Sequence, residues 1–255
     1  MNDIAASPIV PPPLHQAIPP STPLGEHPED RVPIVGVVSG MEAILRHPRR
    51  VVFQLREGNA GKMASALFMV TLISGLVYGL VVGTFSGGSQ LWMAPVKIFG
   101  GLLISALICL PSLYIFSCLS GSRARLGEVG GLVLGLIALT TILLIGFAPV
   151  AWVFSQSTSS VALMGVLHLA FWGLATIFGW RFLRNGFAHL SVNSHGALYL
   201  WMLIFVLVCL QMTTALRPIL GTGDTFFPRE KKFFAAHWMD VLEQSGRPAA
   251  TTQPR

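Results

Sequence analysis

Residues 129–154 read VGGLVLGLIALTTILLIGFAPVAWVF, a run without one Asp, Glu, Lys or Arg. A helix needs about 20 apolar residues to cross the hydrocarbon core, and a charge at its centre costs about 3 kcal/mol or more. The segment is therefore read as a membrane-spanning helix. Outward from it, four further stretches meet the same test: Met63–Val82, Val96–Leu119, Val161–Phe182 and Ala197–Leu216. Strand alternation is nowhere sustained, which argues against a β-barrel.

Composition agrees. The chain has 255 residues, 53% hydrophobic and only 11% charged, whereas soluble domains carry about 25% charged residues. Its net charge of +6 sits at the ends of the apolar runs, where basic side chains meet anionic head groups. A basic face with interleaved aromatics on a soluble module is missing, so no nucleic-acid partner is expected.

The joins between spans carry breakers: residues 84–90 (TFSGGSQ), 120–125 (SGSRAR), 155–160 (SQSTSS) and 184–196. Their charges set orientation. Arg46, Arg49, Arg50, Arg56 and Lys62 precede the first span, Arg123 and Arg125 lie in the second join, and Arg181 and Arg184 open the fourth. The first join offers only Lys97 and the third none. The positive-inside rule then places the N-terminus, join two and join four in the cytoplasm. Arg217, Arg229, Lys231 and Lys232 oppose this, but the first helix and short loops usually dominate.

The flanks differ from the spans. Residues 1–40 are proline-rich and are expected to form a disordered, cytoplasmic, partly polyproline tail without a signal peptide. Residues 41–62 form a juxtamembrane amphipathic segment. Within it, Pro48–Arg56 suits a short interfacial helix with Pro48 at its first position, Val51, Val52 and Leu55 on one side, and Arg49 and Arg50 reaching lipid phosphate. Residues 217–255 are a C-terminal tail with an amphipathic helix near 228–244. There Phe234, Trp238, Val241 and Leu242 share an arc that rests either on the membrane, with Phe234 and Trp238 as anchors, or on the protein's own loops.

Small residues recur every fourth position inside the spans. The first carries Thr71, Gly75, Gly79 and Gly83, with Gly87 beyond the helix end; the second carries Gly101, Ser105 and Cys109; the third carries Gly127, Gly131 and Gly135. Positions four apart share a helix face, and small ones let backbones approach. The glycines are read as helix-packing positions, inside the bundle or in a homodimer, with a backbone-lined substrate groove as the competing use. Pro111 and Pro149 fall within spans, as they do at transporter binding sites and also where helices merely pack.

Catalytic signals are weak. HExxH, GxSxG and P-loop sequences are missing, as are intramembrane acid pairs. His168 lies deep in a span and is read as packed or hydrogen-bonded, since haem would need a second histidine at its depth; His189 and His195 are assigned to a loop. Gln211, Thr213 and Thr214 are expected to bond neighbouring helices or backbone. Cys109, Cys118 and Cys209 lack metal or disulfide spacing and read as packing residues. No catalytic residue, metal site or cofactor is assigned.

The five spans, the Pro-rich tail and the basic approach to the first span resemble the Yip family of five-span membrane proteins and its bacterial relatives, over residues 40–216. That resemblance implies a protein that shapes or organises membranes rather than an enzyme. Residues 211–221 (QMTTALRPILG) are similar to the end of the last span in a group of bacterial polytopic membrane proteins, which implies a bacterial cytoplasmic (inner) membrane. The expectation is an all-α polytopic membrane helix bundle with five transmembrane helices. It organises or assembles with other membrane components, its partners being the lipid bilayer and a second copy or other membrane proteins. The alternative is a permease subunit or transporter of a small neutral or apolar solute.

Reporter fusions after Gln90 and Ser157 should report the periplasmic side, and fusions after Arg125 and Gly186 the cytoplasm. The opposite pattern at three of these sites would reject the orientation.

Overall fold

The computed structural model describes residues 23–57, 60–122, 124–190, 196–216 and Met239. Within them all regular structure is helical: a 3₁₀ turn at Pro28–Arg31, then α1 (Gly36–Arg46), α2 (Pro48–Arg56), α3 (Ala60–Ser86), α4 (Gln90–Leu119), α5 (Leu126–Ser157), α6 (Val161–Ala188) and α7 (Gly196–Ala215). Helices α3 to α7 are each long and apolar enough to cross a membrane, so the chain is a multi-pass membrane protein. The exposed Trp92 and half-buried Tyr114 of α4 lie 22 residues apart, about 33 Å of helix. That matches the separation of two aromatic belts across a core of about 30 Å.

Helices α3 and α5 extend beyond both expected ends and α4 and α6 beyond one, while α7 keeps its expected bounds to within one residue. Helix α4 begins at Gln90 and α6 runs on to Ala188, because the helix keeps its backbone bonds satisfied past the hydrocarbon edge at little cost. The first join shrinks to Gly87, Gly88 and Ser89, with both glycines left-handed at φ +63° and +53°, a conformation favouring glycine. Gly87 N–H closes the end of α3 by donating to Gly83 O at 3.0 Å.

Helix α5 is the hub. Of its most apolar window 72% is buried inside the bundle, against 28% for α6 and 22% for α7. Helices α3 and α6 pack on α5, α4 packs on α3, and α7 packs on α4. Pro95 and Pro111 lie within a continuous α4, and Pro149 within a continuous α5.

The small-residue ridge of α3 is a backbone contact with α4. A Cβ on Gly75 would lie 3.5 Å from Phe99 Cβ; on Gly79, 2.3 Å from Pro95 Cα; on Gly83, 2.9 Å from Leu91 Cα. Each step of four forward in α3 meets a step of about four back in α4, the register of antiparallel neighbours. The α5 ridge works differently, receiving side chains. A Cβ on Gly131 would meet Leu55 of α2 at 2.4 Å, and one on Gly135 would meet Phe182 of α6 at 2.5 Å. Gly127 is not a contact within the bundle: nothing lies within 4 Å of its Cβ position, because it sits exposed in the first turn of α5. The Gly101–Ser105–Cys109 stripe faces α7. Leu216 Cδ1 lies 3.1 Å from the Gly101 Cβ position, and the fully buried Trp201 donates its indole N–H to Cys109 O at 2.8 Å.

Two expectations for the flanks also change. The tail is not irregular up to residue 40, since the 3₁₀ turn and the start of α1 lie within it. Helix α2 forms over Pro48–Arg56 as expected, but Val51, Val52 and Leu55 are buried in the protein core rather than turned to lipid. Phe234, Trp238 and the rest of the expected C-terminal helix, apart from the exposed helical Met239, lie outside the described residues.

Gly79→Leu should lower stability in detergent by at least about 1–3 kcal/mol through overpacking against the Pro95 backbone. Gly100→Leu is the control, with nothing within 4 Å of its Cβ position. Thermal melts of both variants test this, and the control should melt at the parent temperature.

Candidate functional site

The ends of α3, α5 and α6 on the N-terminal side carry a polar cap built from residues 23–57. Its keystone is Asp30, buried at the end of the 3₁₀ turn. Asp30 Oδ2 accepts from Gly25 N–H at 3.1 Å and faces Arg49 Nη2 at 3.6 Å. Gly25 is required twice over: its φ is +91°, and a Cβ would strike the Phe53 ring at 2.6 Å.

Arg49 and Arg50 were expected to reach lipid phosphate. Instead, Arg49 Nη2 donates to Pro23 O at 3.2 Å. Arg50 donates through Nε to Val32 O at 2.7 Å and through Nη2 to Pro33 O at 2.9 Å. Proline-rich chain lacks backbone donors but keeps its carbonyls, and the guanidinium forks of α2 satisfy them. Gln54 Nε2 adds a bond to Val32 O at 3.3 Å, and His47 Nδ1 faces Glu29 Oε2 at 3.5 Å.

The cap also reaches the far joins. Arg56 Nη1 donates to His189 O at 3.2 Å, at the C-terminal end of α6. Ser122 Oγ donates to Leu190 O at 3.3 Å and accepts from Ala124 N–H at 3.2 Å, linking joins two and four. His189 lies in the turn that follows α6, as expected, but that turn is tied to the cap. Burial, then the positive charges of Arg49 and Arg56, push its pKa below the ordinary imidazole value, with Asp30 opposing.

A second polar group lies within the bundle, toward the opposite end. Tyr78 Oη and His168 Nδ1 are 2.6 Å apart, joining α3 to α6 with their rings edge to face at 83°. Whichever partner donates, His168 Nε2 is left buried without a hydrogen-bond partner, as is Ser74 Oγ one turn away on α3. Lys97, assigned to the first join from sequence, is inside α4 and 1% exposed. A buried ionisable group inside a span is a functional-site candidate by default. Of the polar residues assigned to the last span, Thr213 Oγ1 bonds Leu210 O at 2.6 Å within its own helix.

Among the described residues, no three His, Cys, Asp or Glu side chains form a group able to hold a metal ion. Cys109 and Cys209 are buried and Cys118 is exposed, all as free thiols. Compared with protein-family models, curated proteins and solved structures, the chain matches none.

The cap should loosen in acid. Unfolded histidine protonates near pH 6.5, whereas folded His189 resists protonation. Folding therefore excludes a proton, and the stability of the cap falls as pH drops below about 6.5 toward the lowered folded value. Amide exchange over residues 23–35, normalised to its intrinsic rate at each pH, should accelerate as the pH falls across that window in the parent protein, and much less in His189→Gln. Asp30→Asn should accelerate it at every pH.

Proposed function

We propose that this chain is a non-enzymatic membrane protein that organises or assembles with other membrane components, in a cytoplasmic (inner) membrane with its N-terminus in the cytoplasm. The observation that carries the reading is the use made of the small-residue ridges. Gly75, Gly79 and Gly83 are filled by α4, and Gly131 and Gly135 by Leu55, Ile44 and Phe182. The faces that could have lined a solute groove are consumed by internal packing. What the molecule offers to others is a rigid bundle bearing a folded polar cap. The sequence resemblance to five-span membrane organisers agrees with this reading.

Charge supports the orientation. Arg46, Arg49, Arg50, Arg56, Arg125, Arg181 and Arg184 all belong to the capped end, while the turns at residues 87–89 and 158–160 at the other end carry no charge.

Lys97 and the Tyr78–His168 pair favour a second reading, a permease subunit or transporter of a small neutral or apolar solute. One pair of experiments separates the two. The tagged full-length chain, isolated in mild detergent, should retain integral membrane partners at fixed stoichiometry, and Lys97→Met should retain them equally. A chain isolated alone, whose reconstituted vesicles pass small neutral solutes until Lys97→Met is introduced, would favour the transporter and overturn the proposal.

A further inference from the structure

Helix α1 presents three distinct faces, and only one is accounted for by the protein. On the packed face, a Cβ on Gly40 would lie 3.6 Å from Val70 Cγ2 and 3.7 Å from Ala66 Cβ, and Ile44 Cδ1 lies 3.5 Å from the Gly135 Cβ position. With Gly40 at 0° and about 100° per residue, the buried Ala43 and Ile44 flank it. Next around the wheel come Met41, Leu45 and Val38, at roughly 100–160°. Beyond them, at roughly 200–260°, come Glu42, Arg46 and Ser39. On the second, apolar face Met41 packs partly on the core, while Val38 and Leu45 are open, 79% and 47% exposed. The third is polar, its Glu42 and Arg46 paired at 3.6 Å. Val35, just before the helix, is 78% exposed.

The contacts also fix the depth of α1. Lys62 is the last charge before the α3 span, and Ala66 and Val70 lie four and eight residues beyond it, about 6 and 12 Å along the helix. On α5, Gly135 lies seven residues beyond Glu128, about 10 Å. Gly40 and Ile44, one turn apart in the middle and C-terminal half of α1, thus touch two different spans, each below the last charge of the span it meets. A helix that steps from one span to the next within a single turn lies across them rather than along them. On α3, Met69 and Ile73 each follow one of the α1-contacting residues Ala66 and Val70 by three positions and so share that side of the helix; both are half-exposed and belong to the apolar outer surface of the bundle.

We infer that α1 is an interfacial helix embedded in the leaflet at the N-terminal end of the bundle, its Val38–Leu45 face against acyl chains and its Ser39–Glu42–Arg46 face toward the head groups. The occupant of the apolar face is lipid, because the exposed Val38 and Leu45 belong to a helix whose contacts lie below the last charges of α3 and α5, a depth at which a span is surrounded by acyl chains. Such helices bury their apolar side about 5–10 Å into the head-group and acyl boundary, the level the contacts with Ala66, Val70 and Gly135 set. The role expected from sequence for α2 is filled by α1, and α2 instead pins the preceding chain. This inference depends on the spans alone and not on the proposed assembly role.

Spin labels on single cysteines test it in the full-length chain, with Cys118→Ser as background, reconstituted into vesicles of phosphatidylethanolamine and phosphatidylglycerol. Labels at Val38→Cys and Leu45→Cys should relax preferentially with oxygen, and those at Ser39→Cys and Arg46→Cys with a water-soluble nickel chelate. Preference for nickel at all four positions would place α1 in water and overturn the inference. Shielding of positions 38 and 45 from both reagents would also overturn it, by showing that protein, from a second copy or a tail, covers the face. Circular dichroism and melting equal to the parent would exclude misfolding of a labelled variant.

Discussion

Between α3 and α4 the backbones approach until no side chain fits between them. Gly79 lies against the backbone of Pro95, and the same closeness repeats one turn away at Gly83 and, more loosely, at Gly75. In hydrocarbon, apolar burial does not drive helices together, since lipid is as apolar as leucine; packing and interhelical bonds must do so. Close backbone approach maximises that packing. A turn of three residues, two of them left-handed glycines, then suffices to reverse the chain. Because α3 is held tightly to α4 on one side, its other face is free to pack on α5, and the remaining helices attach to that core.

The same logic explains where the polar groups go. Backbone carbonyls of a proline-rich segment cannot pair with one another, so Arg49 and Arg50 collect those of Pro23, Val32 and Pro33. Two arginines on a helix next to a membrane look like lipid anchors in sequence, yet a charge-assisted bond to a nearby carbonyl serves them equally well. Inside the bundle, Trp201 crosses from α7 to the Cys109 carbonyl, and Tyr78 crosses from α3 to His168. Each joins helices distant in sequence at a depth where water cannot compete.

The spans were legible because a charge costs so much in hydrocarbon that its absence over many residues has one meaning. Their centres match the observed helices, and the ends that fall short, both ends of α3 and α5, the start of α4 and the end of α6, do so because helices continue past the apolar boundary. The fourfold glycine spacing was legible as a contact face, but a single sequence does not name the partner: α4 for one ridge, side chains of α1, α2 and α6 for the other. The glycines of α6 gave no comparable signal, because Gly179 and Gly186 are seven apart, yet both meet α5 closely. Helix α1 was missed because Gly36 and Gly40 are poor helix formers. Gly40 is needed where the helix lies on Val70 and Ala66, so tertiary packing overrides propensity. Lys97 was placed in a join because a lone lysine reads as an end marker. Its burial depends on neighbours contributed by other helices.

If the α3–α4 backbone contact organises the bundle, its register is the quantity to measure. The Gly75 Cβ position lies 3.5 Å from Phe99 Cβ, at the lower limit of the separation that a disulfide spans. Gly75→Cys with Phe99→Cys, in a Cys118→Ser background and oxidised in native membranes, should close a bond within one chain, read as a monomer whose two halves stay joined after cleavage in the turn at residues 87–89. A disulfide-linked dimer, or no bond where a pair on the lipid-facing side reacts equally well, would contradict the account.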